Sequence, residues 1–326
     1  MTVPVLQVLL KQYPHLRVTV VSTAFVKPLF DGIERLHFVA ADLKGAHKGF
    51  KGLYKLYRQL KKEIAYDAVA DFHNVLRTKV LRSFMQLDGK PIAVIDKGRA
   101  EKKALTRAHN KVLKPLKSTF ERYADVLAQL HLPVQLVVKD GLKQKGNCSE
   151  CETLKAQGIQ LVGVAPFAQY ERKMYPLPKM KEALKLLLQH PHIQLYLFGG
   201  RAEASVLNEW EAELPGAKSC AGKMSFSEEL HLISNLDVMV SMDSANMHLA
   251  SLYGIPVVSV WGATHPYAGF YGWGQKVESA VQVDLACRPC SVFGNKPGPR
   301  NDLACLHSIS PLMLYQKVMQ QLEEKK

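Results

Sequence analysis

The sequence predicts an α/β protein of two successive doubly wound halves, each built on its own parallel sheet, and three observations carry that reading. Short apolar and β-branched runs alternate with helix-length amphipathic runs along nearly all of the 326 residues. A stretch rich in Lys, Gly, Cys and polar residues, 131–157, separates the two series as a linker would. Residues 238–260, VMVSMDSANMHLASLYGIPVVSV, read as one βαβ unit. It comprises an apolar strand, the turn Asp243-Ser244, a helix stopped by Gly254 and Pro256, and a second β-branched strand.

Taken in order, 1–13 reads as the later part of an amphipathic helix, closed by Pro14, and 17–22 as a buried strand. A doubly wound domain ordinarily begins on a strand that takes a central place in its sheet, whereas this chain opens on a helix. Strand 36–39, a basic helix 50–63, strand 68–72, helix 75–87 and strand 91–96 follow. The loop 97–117 then precedes a helix at 119–130. The second series runs through strand 159–165, loop 166–178, helix 179–190 and strand 194–198, which ends on Gly199-Gly200. Next come a helix from 203, a short strand near Ala217, the turn Gly222-Lys223-Met224-Ser225, helix 226–235 and the βαβ unit. An amphipathic helix, 311–326, ends the series.

The acidic-hydroxyl turn falls at the carboxyl end of the first strand of that βαβ unit, where open α/β sheets bind ligands. Asp243 and Ser244 are helix-capping types, and His248, four residues after Ser244, lies on the same helical face. A helix N-terminus offers unpaired N–H groups and partial positive charge, so a phosphate is the expected occupant. The plain alternative is that Asp243 only caps the helix.

The formal charge of +14 is unevenly spread. Residues 1–155 hold 28 Lys and Arg against 14 Asp and Glu, and residues 156–326 hold 15 against 15. Eight of the cations, Lys97 to Lys117, crowd one stretch with Glu101 as its single acid, a pattern that suits an anionic group. No apolar run approaches the length of a membrane span and no signal peptide is recognisable, so the expected location is cytoplasmic. In that setting the six cysteines are expected as reduced thiols or metal ligands rather than disulfides. Cys287-x-x-Cys290 with Cys305 and His307 has ligand types compatible with zinc, a minor candidate against simple packing. The dinucleotide glycine pattern, the P-loop, G-x-S-x-G and H-E-x-x-H are all absent, which removes the common ATPase, hydrolase and metalloprotease readings.

Asp243-Ser244-x-x-Met247-His248-Leu249-Ala250, followed by Gly254-x-Pro256 and Trp261-Gly262-Ala263-Thr264-x-Pro266, resembles the signature of the bacterial heptosyltransferases, glycosyltransferase family 9. The likeness extends to the strand at 18–22, Tyr66-Asp67-Ala68-Val69-x-Asp71, Ala104-Leu105-Thr106-Arg107, and Cys287-x-Pro289-Cys290 with Cys305. It implies two Rossmann-like domains facing a cleft, the GT-B type. It also implies transfer of a heptose from ADP-heptose to the inner core of lipopolysaccharide, by inverting displacement without metal or cofactor. The implied partners are an ADP-sugar, an anionic lipopolysaccharide acceptor and the inner face of the inner membrane, and not nucleic acid.

Residue by residue, the resemblance implies an acceptor domain with its linker over 1–155 and a nucleotide-sugar domain over 156–310. The helix 311–326 would pack back across the junction. Lys173 would stabilise the diphosphate, with Gln169, Asp243, Ser244, Ala245 and His248 around the diphosphate and sugar. Glu203 would meet the ribose and Met224 the adenine. Arg99, Lys102, Lys103 and Arg107 would serve the acceptor. The family turn usually carries Gly where this chain has Ala245, which narrows the room beside the sugar. The family's first strand and its Gly-Asp loop, source of the proposed general base, have no counterpart after Met1. The expectation is that both precede Met1 and that the chain binds a nucleotide-sugar but transfers poorly. A non-catalytic nucleotide-sugar or lipopolysaccharide-binding protein is the alternative.

Overall fold

The computed structural model describes residues 1–300 and 302–324. Its elements in chain order are α1 (Thr2–Gln12), β1 (Val18–Ser22), β2 (Leu36–Ala40), α2 (Gly49–Glu63), β3 (Val69–Asp71), α3 (Leu76–Met85), β4 (Ile92–Val94), α4 (Arg99–Thr106) and α5 (Thr119–Gln129). There follow α6 (Ser149–Ala156), β5 (Gln160–Ala165), α7 (Leu177–Leu187), β6 (Ile193–Leu197), α8 (Ala204–Glu213), β7 (Ala217–Ser219), α9 (Phe226–Ser234), β8 (Val238–Met242), α10 (Ala245–Ser251), β9 (Val257–Val260), β10 (Ala280–Val281), α11 (Ala304–His307) and α12 (Pro311–Glu324). The last two residues of the expected terminal helix lie outside the described residues. The chain divides into two compact units, Met1–Lys97 with Thr119–Gly141, and Gly98–Ser118 with Leu142 onward. The boundary expected at 155 therefore falls at 141, and the cationic stretch belongs to the second unit.

Unit 1 does not carry the single sheet that the sequence predicts. It holds two separate two-stranded parallel ladders, β1 with β2 and β3 with β4. Apolar packing is correspondingly divided. Val39, Leu56, Tyr57, Leu60 and Met85 form one cluster, and Ala93, Ile95 and Val126 another. Arg35 closes the carboxyl end of α1 by donating to the carbonyls of Leu10, Tyr13, Pro14 and Leu16 at 2.5–3.1 Å. The Tyr13 carbonyl also accepts from the Leu16 N–H at 3.0 Å, and carbonyls at a helix end need such donors from outside the helix. Asp88 gathers Tyr57 at 2.9 Å together with Lys61 and Tyr66, and ties α2 to the turn after α3.

Unit 2 is a six-stranded parallel sheet in the order β10-β9-β8-β5-β6-β7. Its central strands are buried on both faces, as all-parallel sheets require, and read as continuous apolar runs. Val162 sits opposite Val238 on one side and Leu195 on the other. Gly163 interrupts the apolar run of β5 because a side chain there would strike Leu236 and Met239. Leu314, Val318 and Leu322 of α12 enter the same core as Val240 and Val260, so the terminal helix is an integral layer of unit 2 rather than a strap across a junction. The winding runs β5, β6, β7 and then returns to β8 on the far side of β5. A parallel sheet that reverses in this way leaves a crevice beyond the carboxyl ends of the two strands at the reversal.

Candidate functional site

The reversal lies between β5 and β8, and the loops leaving those two strands carry Lys173 and Asp243. The loop after β5 ends in a single 3-10 turn, Glu171–Lys173. Its position is set from the loop after β9, where the N–H of Ala263 donates to the Arg172 carbonyl at 3.0 Å. Gly262 permits that approach, since a Cβ there would stand 2.6 Å from the same carbonyl oxygen. Gly294, with φ of +75°, lies flat against the Lys173 stem. The ammonium so positioned sits 3.1 Å from the Asp243 carboxylate, with side chains 15% and 8% exposed.

Burial pushes the Asp243 carboxyl above its ordinary range, and Lys173 pulls it part of the way back. Thr264 stands close enough to favour the charged carboxylate, yet its buried hydroxyl makes no aligned hydrogen bond. Ser244 is the N-cap residue of α10 but does not cap it with its side chain, contrary to the sequence reading. Its hydroxyl lies 3.1 Å from that of Ser241 instead. Asp243 is engaged by Lys173, so the first-turn N–H groups of α10 are left without a side-chain acceptor. His248, one turn into α10, is half-buried, and its Nδ1 is buried without a partner. Burial above all holds its imidazole down to about 3, so the ring is neutral at ordinary pH.

The remaining nucleotide-sugar candidates occupy the same strand edge. Gln169 is exposed on the loop after β5, and Ala245 is exposed at the start of α10. The Glu203 carboxylate folds over Gly200 beyond β6, where a Cβ would meet it at 2.8 Å. Met224 follows β7, half-buried before the capping box in which Ser225 and Glu228 start α9. From β8 to β7 is three strand spacings, roughly 14 Å of continuous edge. Asp243, Lys173, Glu203 and Met224 are distributed along it in that order.

Arg99, Lys102, Lys103 and Arg107 all lie on or just after α4, in unit 2 rather than unit 1. Arg99, Lys103 and Arg107 are exposed, with the Arg107 side chain bonded to the Asn110 carbonyl. Lys102 is buried, and its ammonium lies 4.2 Å over the Phe270 ring. Lys111 likewise has a structural task. Its ammonium donates to the carbonyls of Cys287 at 2.7 Å, Pro289 at 3.0 Å and Ala286 at 3.3 Å. Cys287, Cys290 and Cys305 line one small hollow beside Arg172 and Ala263, and His307 is exposed. Among the described residues no three His, Cys, Asp or Glu side chains gather as a metal site. Cys148 and Cys151 form a disulfide at the start of α6, a correction to the expectation of reduced thiols.

Sequence reasoning missed Thr264 as a neighbour of Asp243 and Gly294 as the support of Lys173. Thr264 stood within the quoted signature, whereas nothing in the local pattern marks Gly294.

The model of glycosyltransferase family 9 (heptosyltransferase) matches residues 53–299. Lipooligosaccharide heptosyltransferase 2 of Campylobacter jejuni is 26% identical over 44% of this chain and 44% of its own length. The chain thus spans under half of that relative. Lipopolysaccharide heptosyltransferase 1 of Pseudomonas aeruginosa is 22% identical over 73% of this chain and 66% of its own length. The solved E. coli heptosyltransferase WaaC with ADP superposes with a TM-score of 0.64 at 18% identity, covering 100% of this chain and 95% of that one. That last likeness shows the fold.

Proposed function

The chain belongs to glycosyltransferase family 9, the heptosyltransferases, and from that premise we propose that it transfers a heptose from ADP-heptose to the inner core of lipopolysaccharide. The donor lies along the carboxyl edge of unit 2, its sugar and diphosphate at the β5/β8 reversal and its nucleoside toward Glu203 and Met224. The observation that carries this reading is the Lys173–Asp243 pair at the reversal.

An ammonium has three donors and Asp243 occupies one, so two remain for diphosphate oxygens. The uncapped N–H groups of Ala245 and Asn246 face the same anion. α10 has only seven residues, so these individual donors matter more than its dipole. In the reaction an acceptor hydroxyl attacks the anomeric carbon from the face opposite the diphosphate and gives up its proton to water. The C–O bond to ADP breaks with inversion, and the departing ADP gains negative charge. Lys173 offsets that charge as it develops, the point at which a fixed cation accelerates a reaction most. Asp243 holds the ammonium in place and offers its other oxygen to a sugar hydroxyl. Neutral His248, one turn further along α10, keeps a buried nitrogen without a hydrogen-bond partner. No metal or cofactor is required. Arg99, Lys103 and Arg107 serve the phosphates and carboxylates of the acceptor, at the inner face of the membrane.

Support for ADP as the leaving group comes from the WaaC relative, which was solved with ADP. The test is a calorimetric series with ADP, UDP, GDP and ADP-heptose, followed by mass analysis of lipopolysaccharide lacking heptose. Preference for ADP and a slow mass increase of one heptose are expected, since none of the residues assigned here takes the acceptor proton as a general base. Equal affinity for all three nucleotides would end the reading. Donor binding with no product would favour the nucleotide-sugar-binding alternative.

A further inference from the structure

α2 carries three distinct stripes. Leu53, Leu56, Tyr57 and Leu60 are buried. On the opposite side Lys48, Lys51, Lys55, Arg58 and Lys62 recur at spacings of three and four, and all five are exposed. On one shoulder stand Phe50, 66% exposed, and Tyr54, 45% exposed. Both rings contact Phe84 of α3 edge-on, at centroid distances of 5.2 and 5.3 Å. Phe84 belongs to an apolar ridge of α3 and its following turn that ends in Leu76 and Leu87, 78% and 80% exposed.

Neither helix stability nor solubility accounts for this pattern. Cations near a helix N-terminus oppose its dipole, and α2 has no acid in its first turn. Among the described residues none of the five cations of the stripe is paired with a carboxylate. Residues 42–63 hold seven of the 18 Lys and Arg in unit 1, with Asp42 and Glu63 the only acids of that stretch. Leu76, Leu87 and Phe50 together leave an apolar strip in water beside the cations.

We propose that the outer face of α2 and the ridge of α3 form the surface by which this protein docks on an anionic phospholipid bilayer. The cations meet lipid phosphates, and the aromatic and aliphatic side chains enter the boundary between headgroups and acyl chains. Long Lys and Arg side chains suit this because their stems lie along apolar surface while their heads remain in water. A nucleic acid would use the cations and the aromatic rings but would gain nothing from Leu76 and Leu87. The surface deepens the proposed transfer, whose acceptor is membrane-tethered.

The test is sedimentation of the full chain with phosphatidylcholine vesicles, with and without phosphatidylglycerol. No donor or acceptor is present, so docking and transfer can fail separately. The chain should sediment with the anionic vesicles only, and less as salt is raised. Replacing Lys51, Lys55, Arg58 and Lys62 together by Gln should weaken partitioning about 10²- to 10³-fold. Replacing Phe50, Leu76 and Leu87 together by Ser should weaken it at least tenfold even at low salt. Circular-dichroism melting confirms that each variant is folded. If a variant does not fold, the salt and lipid dependence of the unmodified chain decides. Equal binding to neutral vesicles, or unchanged binding by either folded variant, overturns the proposal. So does binding to a DNA duplex that is as tight as to vesicles and indifferent to the Ser replacements.

Discussion

Lys173 and Asp243 stand 3.1 Å apart on loops that leave the two strands between which the sheet of unit 2 reverses its winding. Each side chain is held from a third loop, Lys173 through Gly262 and Gly294, and Asp243 beside Thr264. A pair fixed from several sides can present a charge without rearranging when a substrate arrives, and such preorganisation is what makes an electrostatic contribution to catalysis large.

Lys173→Ala should lower the rate of sugar transfer by about 10²- to 10³-fold while leaving weak ADP binding measurable. It also leaves a buried carboxylate unpaired, which costs about 1–3 kcal/mol of stability at neutral pH. Asp243 already titrates above its ordinary range, and losing the cation raises it further. The folded state then binds a proton more readily than the unfolded one, so the penalty shrinks as pH falls. Chemical denaturation of both proteins across the acid range checks the sign. A penalty that grows toward low pH would refute the account.

His248 gives the opposite pH dependence. Its imidazole is held near 3 when folded, against an ordinary value near 6.5. Its contribution is therefore fully present above about 6.5 and is lost as pH falls toward 3, with a total on the order of a few kcal/mol. Buried His265, held to about 4, acts in the same direction. His248→Gln should flatten the stability curve between pH 4 and 6.5 in urea titrations. An unchanged slope would show that His248 takes up a proton without opening.

Gly262→Ala places a methyl 2.6 Å from the Arg172 carbonyl and 2.7 Å from Leu306. The backbone at Gly262 is not left-handed, so the effect is steric alone. Displacement of the 171–173 turn should cost about 1–3 kcal/mol and weaken ADP binding. Melting and calorimetry on the same sample would detect both. Native ADP affinity would mean that the turn does not depend on this contact.

Asp88 predicts an acid response confined to unit 1. Its hydrogen bond from Lys61 first, and then that from Tyr66, hold its carboxyl down to about 2. Its contribution is present above the ordinary carboxylate range and is lost as pH falls from about 4 toward 2. Asp88→Asn should remove that part of the acid transition, followed by hydrogen exchange in α2, and should leave ADP binding unchanged.

The alternation of strands and helices was legible because each buried strand of unit 2 is a short apolar run and each helix keeps an apolar stripe. The turn Asp243-Ser244 was legible for the same reason, as a polar pair between two such runs. Its local chemistry was not. Ser244 was read as a cap because capping is the common local use of Ser, whereas its actual neighbour is Ser241 in the preceding strand. The cationic stretch was read as one anion site because charge counts carry no direction. Lys102 turns to Phe270 and Lys111 to three carbonyls beyond 285, partners more than 160 residues away in sequence. Those same distant contacts place 98–118 with unit 2. α6 went unread because Cys148, an uncommon N-cap, begins it within a polar linker.

The backbone passes from one unit to the other three times, at 97/98, 118/119 and 141/142. A gene fragment that starts at Leu142 would therefore lack the Lys111 ammonium that fastens the cysteine loop, along with the Leu116 N–H bonded to the Tyr267 carbonyl. Dissection of this protein by simple truncation would yield a half-molecule with unsatisfied carbonyls around 286–289. Isolating unit 2 calls for splicing 98–118 onto the later segment.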